Sequence, residues 1–561
     1  MENKAIARSL RLLGQLMELH GENSFRIKTI SSAAYVVDKL PYSLANNTLA
    51  EIEKIPSVGK NMAGRIWELL QTGKLQELET LIQQTPPGIM EIMTLKGLGP
   101  KKILTIWKDL GIENMGELFY ACNENRLVEA RGFGLKTQEE IKKAIEFKMA
   151  SLGRFLFARL EEIASPLLNT LKQILPEAQI ALTGQYRRKC EIIDHIDFLI
   201  GTPQTLQIVE KIKEVSQATL FNQEDNVLEC ESDSGIKIHF IFSGEEQFGR
   251  DLAYYTGSAP HIEELSKRLE DPWPESSSEE EIYQKAGLPF IEPELREGIF
   301  EFDMAAKGPF PQLLTFADLR GALHNHSTWS DGMNTIEEMA LYCRDELHLE
   351  YLGITDHSRS AFYAKGLSEE RVLAQHAEIE ALNRKLSPFR IFKGIESDIL
   401  FDGSLDYPSE ILSRFDFVVA SIHSVFRMDE KKATDRLIKA IENPFTTILG
   451  HPTGRLLLSR KGYPVDIKKV IDACAANQTI IEINANPLRL DLDWHWHQYA
   501  IEKNVLLSVN PDAHSNRGFH DMHYGVLAAR KGGVSAKYCL NTLSREAISN
   551  FFTQRRRTIT T

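Results

Sequence analysis

From Gly321 to the C-terminus, short apolar runs recur, and each runs into a histidine or an acid. Leu323-His324-Asn325-His326 comes first, with Asp331 just beyond it. Asp356-His357 follows Leu352-Gly-Ile-Thr355, Glu396 follows Phe392-Lys-Gly-Ile395, and His423 follows Val418-Val-Ala-Ser-Ile422. His451 follows Ile448-Leu-Gly450, and Asp512-Ala-His514 follows Leu506-Leu-Ser-Val509. Side chains alternate along a strand, so His324 and His326 share a face. Regular alternation of strand and helix patterns predicts an α/β domain with a parallel sheet or barrel. In such folds the carboxyl ends of the strands converge, and residues far apart in sequence meet there. A lone histidine on an apolar strand is ordinarily a core residue. Nine candidates at strand ends instead predict a metal centre. Imidazole with carboxylate suits manganese, zinc or iron better than the all-oxygen shells of magnesium and calcium.

The first 150 residues follow a different rule. Apolar spacing is helical from Ala5 to about Met149, broken by three similar turns. These are Ile55-Pro-Ser-Val-Gly59, Leu95-Lys-Gly-Leu-Gly99 and Ala130-Arg-Gly-Phe-Gly134. Lys60, Lys101, Lys102 and Lys136 come directly after them. Glycine permits the tight turn and bares backbone N–H groups at the start of the next helix, where a phosphate is favoured. One copy would be an ordinary helical corner; three copies, each with lysine, point to Gly59, Lys60, Gly97, Gly99, Lys101, Lys102, Gly132, Gly134 and Lys136 as phosphate contacts. The turns resemble helix-hairpin-helix modules, which grip the DNA backbone without reading sequence. Glu22-Asn-Ser-Phe-Arg-Ile-Lys28, ahead of Ala33-Ala34, also resembles the lyase-type N-terminal domain of family X DNA polymerases.

Charge agrees with this division. The 561 residues carry a net charge of -13, which excludes a uniformly basic nucleic-acid coat but not a local binding face. Residues 1–150 hold 20 Lys/Arg against 18 Asp/Glu, and the remainder 45 against 60. The acid excess thus lies wholly after residue 150. Six scattered cysteines with no CxxC predict neither a disulfide framework nor a cysteine zinc site, and fit a reducing cytoplasm. The N-terminus reads as an amphipathic helix and not a signal peptide. No apolar run reaches the ~18 residues that span a bilayer. The expectation is a cytoplasmic monomer that binds DNA and no membrane.

The strings LHNHSTWSDG, ITDHS, KGIESDIL, ASIHS, ILGHPTGRLL, EINANP and PDAHS resemble the PHP phosphoesterase family over roughly residues 320–555. That resemblance implies a distorted (βα)7 barrel with three divalent metals. It implies His324, His326, Glu396 and Asp512 at one metal, Glu396, His423 and His451 at a second, and Asp331, His357 and His514 at the third. His324, His326, Glu396, Asp512 and His514 would be the catalytic set. Arg455 and Arg489 are candidates to clamp a substrate phosphate.

Between residues 151 and 300, Ile180-Ala-Leu-Thr183, Ile196–Ile200 and Ile236–Phe242 read as strands, with helices expected at 152–175 and 204–216. This α+β pattern resembles a family X polymerase palm. Gly184-Gln-Tyr-Arg187-Arg188 stands where that family has Gly-Ser-x-Arg-Arg, and Tyr254-Tyr-Thr-Gly-Ser258 matches its nucleotide-pocket segment. His195, Asp197 and His239 fall where it has three aspartates. Formal ligand charge drops from -3 to -1, which predicts poor Mg²⁺ binding and nucleotide addition lost or greatly weakened. A new transition-metal site at these residues is the alternative. The thumb's turn is shortened into Leu269-Glu-Asp-Pro-Trp-Pro274.

Together the segments resemble bacterial family X DNA polymerases with a C-terminal PHP exonuclease domain. The expected multidomain order is 1–85 lyase-like helix-hairpin-helix, 86–150 helical fingers, 151–260 degenerate palm, 261–315 shortened thumb and linker, and 316–561 PHP domain. The expected function is a metal-dependent 3'-5' exonuclease or DNA 3'-end phosphoesterase in DNA repair. The alternatives are a bifunctional repair polymerase and a small-molecule phosphatase of the histidinol-phosphate type.

Overall fold

The computed structural model describes residues 1–560 apart from 96, 129, 131, 151–152, 203–204, 216–217, 225, 233–234 and 271. Lys96 and Arg131 of the glycine turns, Asp271 of the shortened thumb turn, and positions 152, 204 and 216 at the ends of the two expected helices lie outside that set. The chain divides into two compact units, Met1–Ile145 and Glu146–Thr561.

The described residues of the first unit form helices and turns, without a strand. Ile6, Leu10, Leu13 and Met17 make a buried stripe at helical spacing along Asn3–Leu19, which packs on Ser24–Lys39. The described residues of the three repeats share one backbone feature. Ser57, Gly97 and Gly132 occupy the same place in each turn and all have positive φ, at 66°, 88° and 89°. Two residues later Gly59 and Gly99 cap the helices Lys60–Thr72 and Pro100–Leu104, and Gly134 precedes Leu135–Ala150. A side chain at Gly97 or Gly132 would be strained by φ although space is open around both.

Among its described residues the second unit holds two sheets and a small ribbon. The ribbon pairs β1 (Phe155–Leu156) with β3 (Ile192–Ile193). The five-stranded sheet contains β2 (Gln179–Thr183), β4 (His195–Gly201), β5 (Ala218–Glu224), β6 (Val227–Ser232) and β7 (Lys237–Ser243). Its order is β2-β4-β7-β6-β5, with only β4 and β7 parallel. The antiparallel strands β5 and β6 were not legible, because Ala218–Ser232 mixes polar residues without clean alternation. The helices Phe157–Ile174 and Thr205–Val215 cover this sheet, burying Leu160, Ala164, Leu171 and Ile212.

The larger sheet is a nearly closed parallel barrel of seven strands. Its strands are β8 (Gly321–Ala322), β9 (Tyr351–Ile354), β10 (Arg390–Asp398), β11 (Phe417–Ser421), β12 (Ile448–Leu449), β13 (Ile480–Asn484) and β14 (Leu507–Asn510), in sequential order. A bridge between Asn325 and Ala513 brings the first and last segments together just beyond their strands. One mouth is filled with hydrocarbon. Leu323, Tyr351, Phe392, Phe417, Val419, Ile448 and Ile480 pack against Ile548 and Phe552 of the C-terminal helix Arg545–Thr560. Phe417 stacks on Phe552 with ring centroids 5.0 Å apart. The polar side chains are left to gather at the other mouth.

Candidate metal centre

All nine predicted ligands lie at the carboxyl-terminal mouth of the barrel. β8 ends at Ala322, shorter than the run through His326 implied, but the extended chain beyond it keeps the alternation. His324 and His326 are fully buried toward the mouth, while Asn325 donates to the Gly353 carbonyl at 2.9 Å. Asp331 follows on a turn, His357 lies beyond β9, and Glu396 is within β10. His423, His451 and Asp512 each come two residues after β11, β12 and β14. Asp512 and His451 have positive φ, 54° and 23°. Such backbone persists only where the surroundings hold it.

Three groups share ligand geometry: His324, His326 and Asp512; His357, Glu396 and His423; and His326, Asp331, His357 and His514. His451 joins through Nε2, 3.0 Å from Glu396 Oε1, beside His423 Nε2 at 3.1 Å from the same oxygen. His326 and His357 thus each stand in two groups, whereas the expected assignment gave each a single metal. The His451 Nε2–Glu396 Oε1 contact has hydrogen-bond geometry, but other close approaches here do not. His324 Nε2 is 3.3 Å from Glu396 Oε1 and 3.6 Å from Asp512 Oδ1, and His326 Nε2 is 3.1 Å from Asp512 Oδ1. Yet His324 Nε2, both nitrogens of His326, Asp331 Oδ2 and Glu396 Oε2 are buried without a hydrogen-bond partner. Unsatisfied buried polar atoms are costly, so donors aimed at common points between them fit cations.

The electrostatics agree. Burial opposes ionisation of Glu396, Asp331 and Asp512, but the surrounding imidazoles hold all three carboxyls well below the usual range. Burial, with His514 and His357 beside it, pushes His326 down to about 3. Ionised carboxylates and a neutral His326 are states that ligate metal, whereas the same carboxylates raise His324 and His357 and bring His423 up to about 9, so those rings would shed a proton on binding a cation.

Three buried acids orient this cluster: Asp356, which the sequence pattern placed beside His357 without a role, and Glu482 and Asp398, which it did not single out. Glu482 accepts from His324 Nδ1 at 2.6 Å and from the His451 amide at 2.7 Å. Asp398 accepts from His423 Nδ1 at 2.5 Å. Asp356 accepts from the Ser327 amide at 2.8 Å and from Ser330 and Gln375 side chains, fixing the turn that carries Asp331. Burial pushes the Asp356 carboxyl up to about 6. Glu482 and Asp398 also sit at strand ends, and that is the signal that could have found them.

Arg455 corrects an expectation. Its buried guanidinium donates to the Arg489 and Leu490 carbonyls and pairs with Asp493 and with Glu191 on the turn before β3. With two carboxylates and two carbonyls occupying its donors, it is not placed to clamp a phosphate. Arg489 is buried at the same loop, near Tyr463.

In the five-stranded sheet, His195, Asp197 and His239 come together on β4 and β7. Arg187 forms a two-point pair with Glu279 at 2.7 and 2.8 Å and donates to Thr256. Arg188 pairs with Glu297 at 2.9 Å. In the first unit, Lys60, Lys101 and Lys136 are exposed beside the glycine turns, while Lys102 is half-buried with its ammonium over the Phe133 ring.

The helix-hairpin-helix domain family matches residues 1–75. Over 98% of its length the chain is 34% identical to the DNA polymerase/3'-5' exonuclease PolX of Bacillus subtilis, covering 99% of that protein. The chain belongs to the PolX family. Its C-terminal part also resembles free-standing enzymes. A probable phosphatase of Thermoanaerobacter sp. is 30% identical over 34% of this PolX-family chain and 84% of its own length. A probable phosphatase of Acetivibrio thermocellus is 31% identical over 29% of the chain and 63% of its own length. Among the described residues of this PolX-family chain, no helix is long and apolar enough to cross a membrane, and the six cysteines are free thiols.

Proposed function

We propose that the protein is a metal-dependent DNA 3'-5' exonuclease acting in repair, with the barrel mouth as its active site. The observation that carries this reading is the set of buried ligand atoms of His324, His326, Asp331 and Glu396 without hydrogen-bond partners. Up to three divalent cations, manganese, zinc or iron, would be held by His324, His326, Asp331, His357, Glu396, His423, His451, Asp512 and His514. Bound there, such ions supply Lewis acidity toward a phosphodiester and bring the acidity of water toward neutral pH.

The protein's part is positioning. Glu482 keeps the proton of His324 on Nδ1, which turns the Nε2 lone pair toward the mouth. Asp398 does the same for His423 and leaves its Nε2 facing Glu396. The hydrocarbon plug at the opposite mouth makes this end the entrance for DNA. The glycine turns and lysines of the first unit would hold the DNA backbone without sequence preference. The protein would work as a cytoplasmic monomer, a compartment in keeping with its free thiols.

Synthesis at the five-stranded sheet is lost or weak in this reading. A single carboxylate, Asp197, remains between two imidazoles, and Arg187 and Arg188 are already paired with Glu279 and Glu297. Few hard anionic ligands remain for Mg²⁺.

The test is single-stranded DNA labelled at its 5' end. With Mn²⁺ it should shorten stepwise, and His324→Ala should abolish shortening. No shortening alongside rapid hydrolysis of a small phosphate monoester would make the barrel a small-molecule phosphatase. Templated gap filling abolished by Asp197→Ala would overturn the loss of synthesis.

A further inference from the structure

Outside the barrel, the five-stranded sheet builds a second convergence of imidazole and carboxylate. Asp197 and His239 are direct neighbours in the parallel ladder of β4 and β7, and His195 lies two residues before Asp197 on the same face of β4. Asp197 Oδ1 is 3.0 Å from His239 Nδ1, and its Oδ2 is 3.2 Å from His195 Nε2. The two imidazole centroids are 4.4 Å apart. One ligand atom from each of the three residues lies within 4.8 Å of the others. Donors bound to one ion at ~2.0–2.1 Å stand roughly 2.9–3.4 Å apart; both N–O separations fall in that range, one to each oxygen of the Asp197 carboxylate.

The His239–Asp197 contact has hydrogen-bond geometry, and the surroundings leave room for an ion among the three side chains. Gly184 has φ 59°, and a Cβ there would stand 2.1 Å from Asp197 Oδ2, so the backbone is cleared for this carboxylate. His239 Nε2 faces Glu229 of the neighbouring strand β6 at 3.9 Å, on the side away from Asp197. At that distance the half-exposed acid is a negative charge near the ring and not a hydrogen-bond partner that fixes it. Asp197 is buried, but the side chains of His195 and His239 are 34% and 20% exposed. They line a cleft of about 510 Å³ together with Asn222, Glu229 and Lys237.

We propose that His195, Asp197 and His239 bind one first-row transition-metal dication of the zinc class, with its remaining coordination positions open to this cleft. Two imidazoles and one carboxylate carry a charge of -1, a set that favours zinc, cobalt or manganese over magnesium. This site shares no residue with the barrel cluster and does not rest on the nuclease reading.

The experiment uses the full chain, stripped of metal and titrated with Zn²⁺ and, as a spectroscopic probe, with Co²⁺. His195→Asn combined with His239→Gln should bind one equivalent of Zn²⁺ less than the unaltered chain and lose the part of the visible Co²⁺ absorption due to this site. Mn²⁺-dependent shortening of DNA should be unchanged. Asp197→Asn, which keeps the side-chain shape, provides the same comparison should the double variant misfold, and should also lose the equivalent. Equal Zn²⁺ stoichiometry and identical Co²⁺ spectra in all three proteins would overturn the proposal and leave a hydrogen-bonded triad. So would displacement of that equivalent by Mg²⁺ at matched concentration.

Discussion

Glu482 and His324 are 158 residues apart in sequence, and the Glu482 carboxylate accepts the His324 Nδ1 proton at 2.6 Å inside the barrel mouth. The same carboxylate accepts the His451 amide, so one acid sets two candidate ligands. Replacing an acid that orients a ligating imidazole typically weakens metal affinity or activity 10–100-fold. Glu482→Gln should therefore lower Mn²⁺-dependent shortening of DNA by about that factor and raise the Mn²⁺ concentration needed for half activity. Full activity at unaltered Mn²⁺ would remove Glu482 from the site.

DNA affinity and DNA cleavage should separate. Lys101→Ala with Lys102→Ala should flatten the dependence of log affinity on log salt by up to about 2, since each phosphate contact contributes a little under 1. Fluorescence anisotropy from 50 to 200 mM salt measures this. His324→Ala should leave that slope untouched.

The environment of Arg455 makes a different claim from a phosphate clamp. Removing one partner of a buried ion pair costs about 3–5 kcal/mol, because the charges left behind are neither solvated nor paired. Arg455→Ala strands the buried Glu191, while Asp493 keeps His495, and should lower the unfolding midpoint markedly. A clamp would instead raise KM with no loss of stability.

His376, on the helix Glu369–Leu386, is buried edge-on against Phe415, and its Nε2 has no hydrogen-bond partner. Burial, with help from Lys393, lowers it from 6.5 to about 4. The unfolded chain therefore binds more protons between those values, so stability is full above pH 6.5 and falls as pH drops toward 4. His376→Leu should abolish this part of the acid sensitivity, on the order of 3 kcal/mol, in unfolding followed from pH 7 to 4. An unchanged acid slope would show that His376 titrates normally.

Much of this protein was legible because its periodicities are simple. Ile6, Leu10, Leu13 and Met17 announce a helix without any partner, and the repeated glycine turns announce their own geometry through residues with positive φ. The ligand-type residues were legible for the same reason, since a parallel barrel sends every strand end to one mouth. What stayed hidden depends on partners distant in sequence. β5 and β6 hold their place by pairing with each other and with β7, not by their own alternation. Arg455 looks like a phosphate ligand until Glu191, 264 residues earlier, reaches its guanidinium. Glu482 and Asp398 look like any other strand acids until their imidazoles are placed beside them. Sequence by itself determined which residue types recur at which period, and hence the classes of element and the ligand candidates. Only the tertiary structure decided which charges neutralise one another, because burial removes water as a partner and makes every donor and acceptor answer to its nearest neighbour.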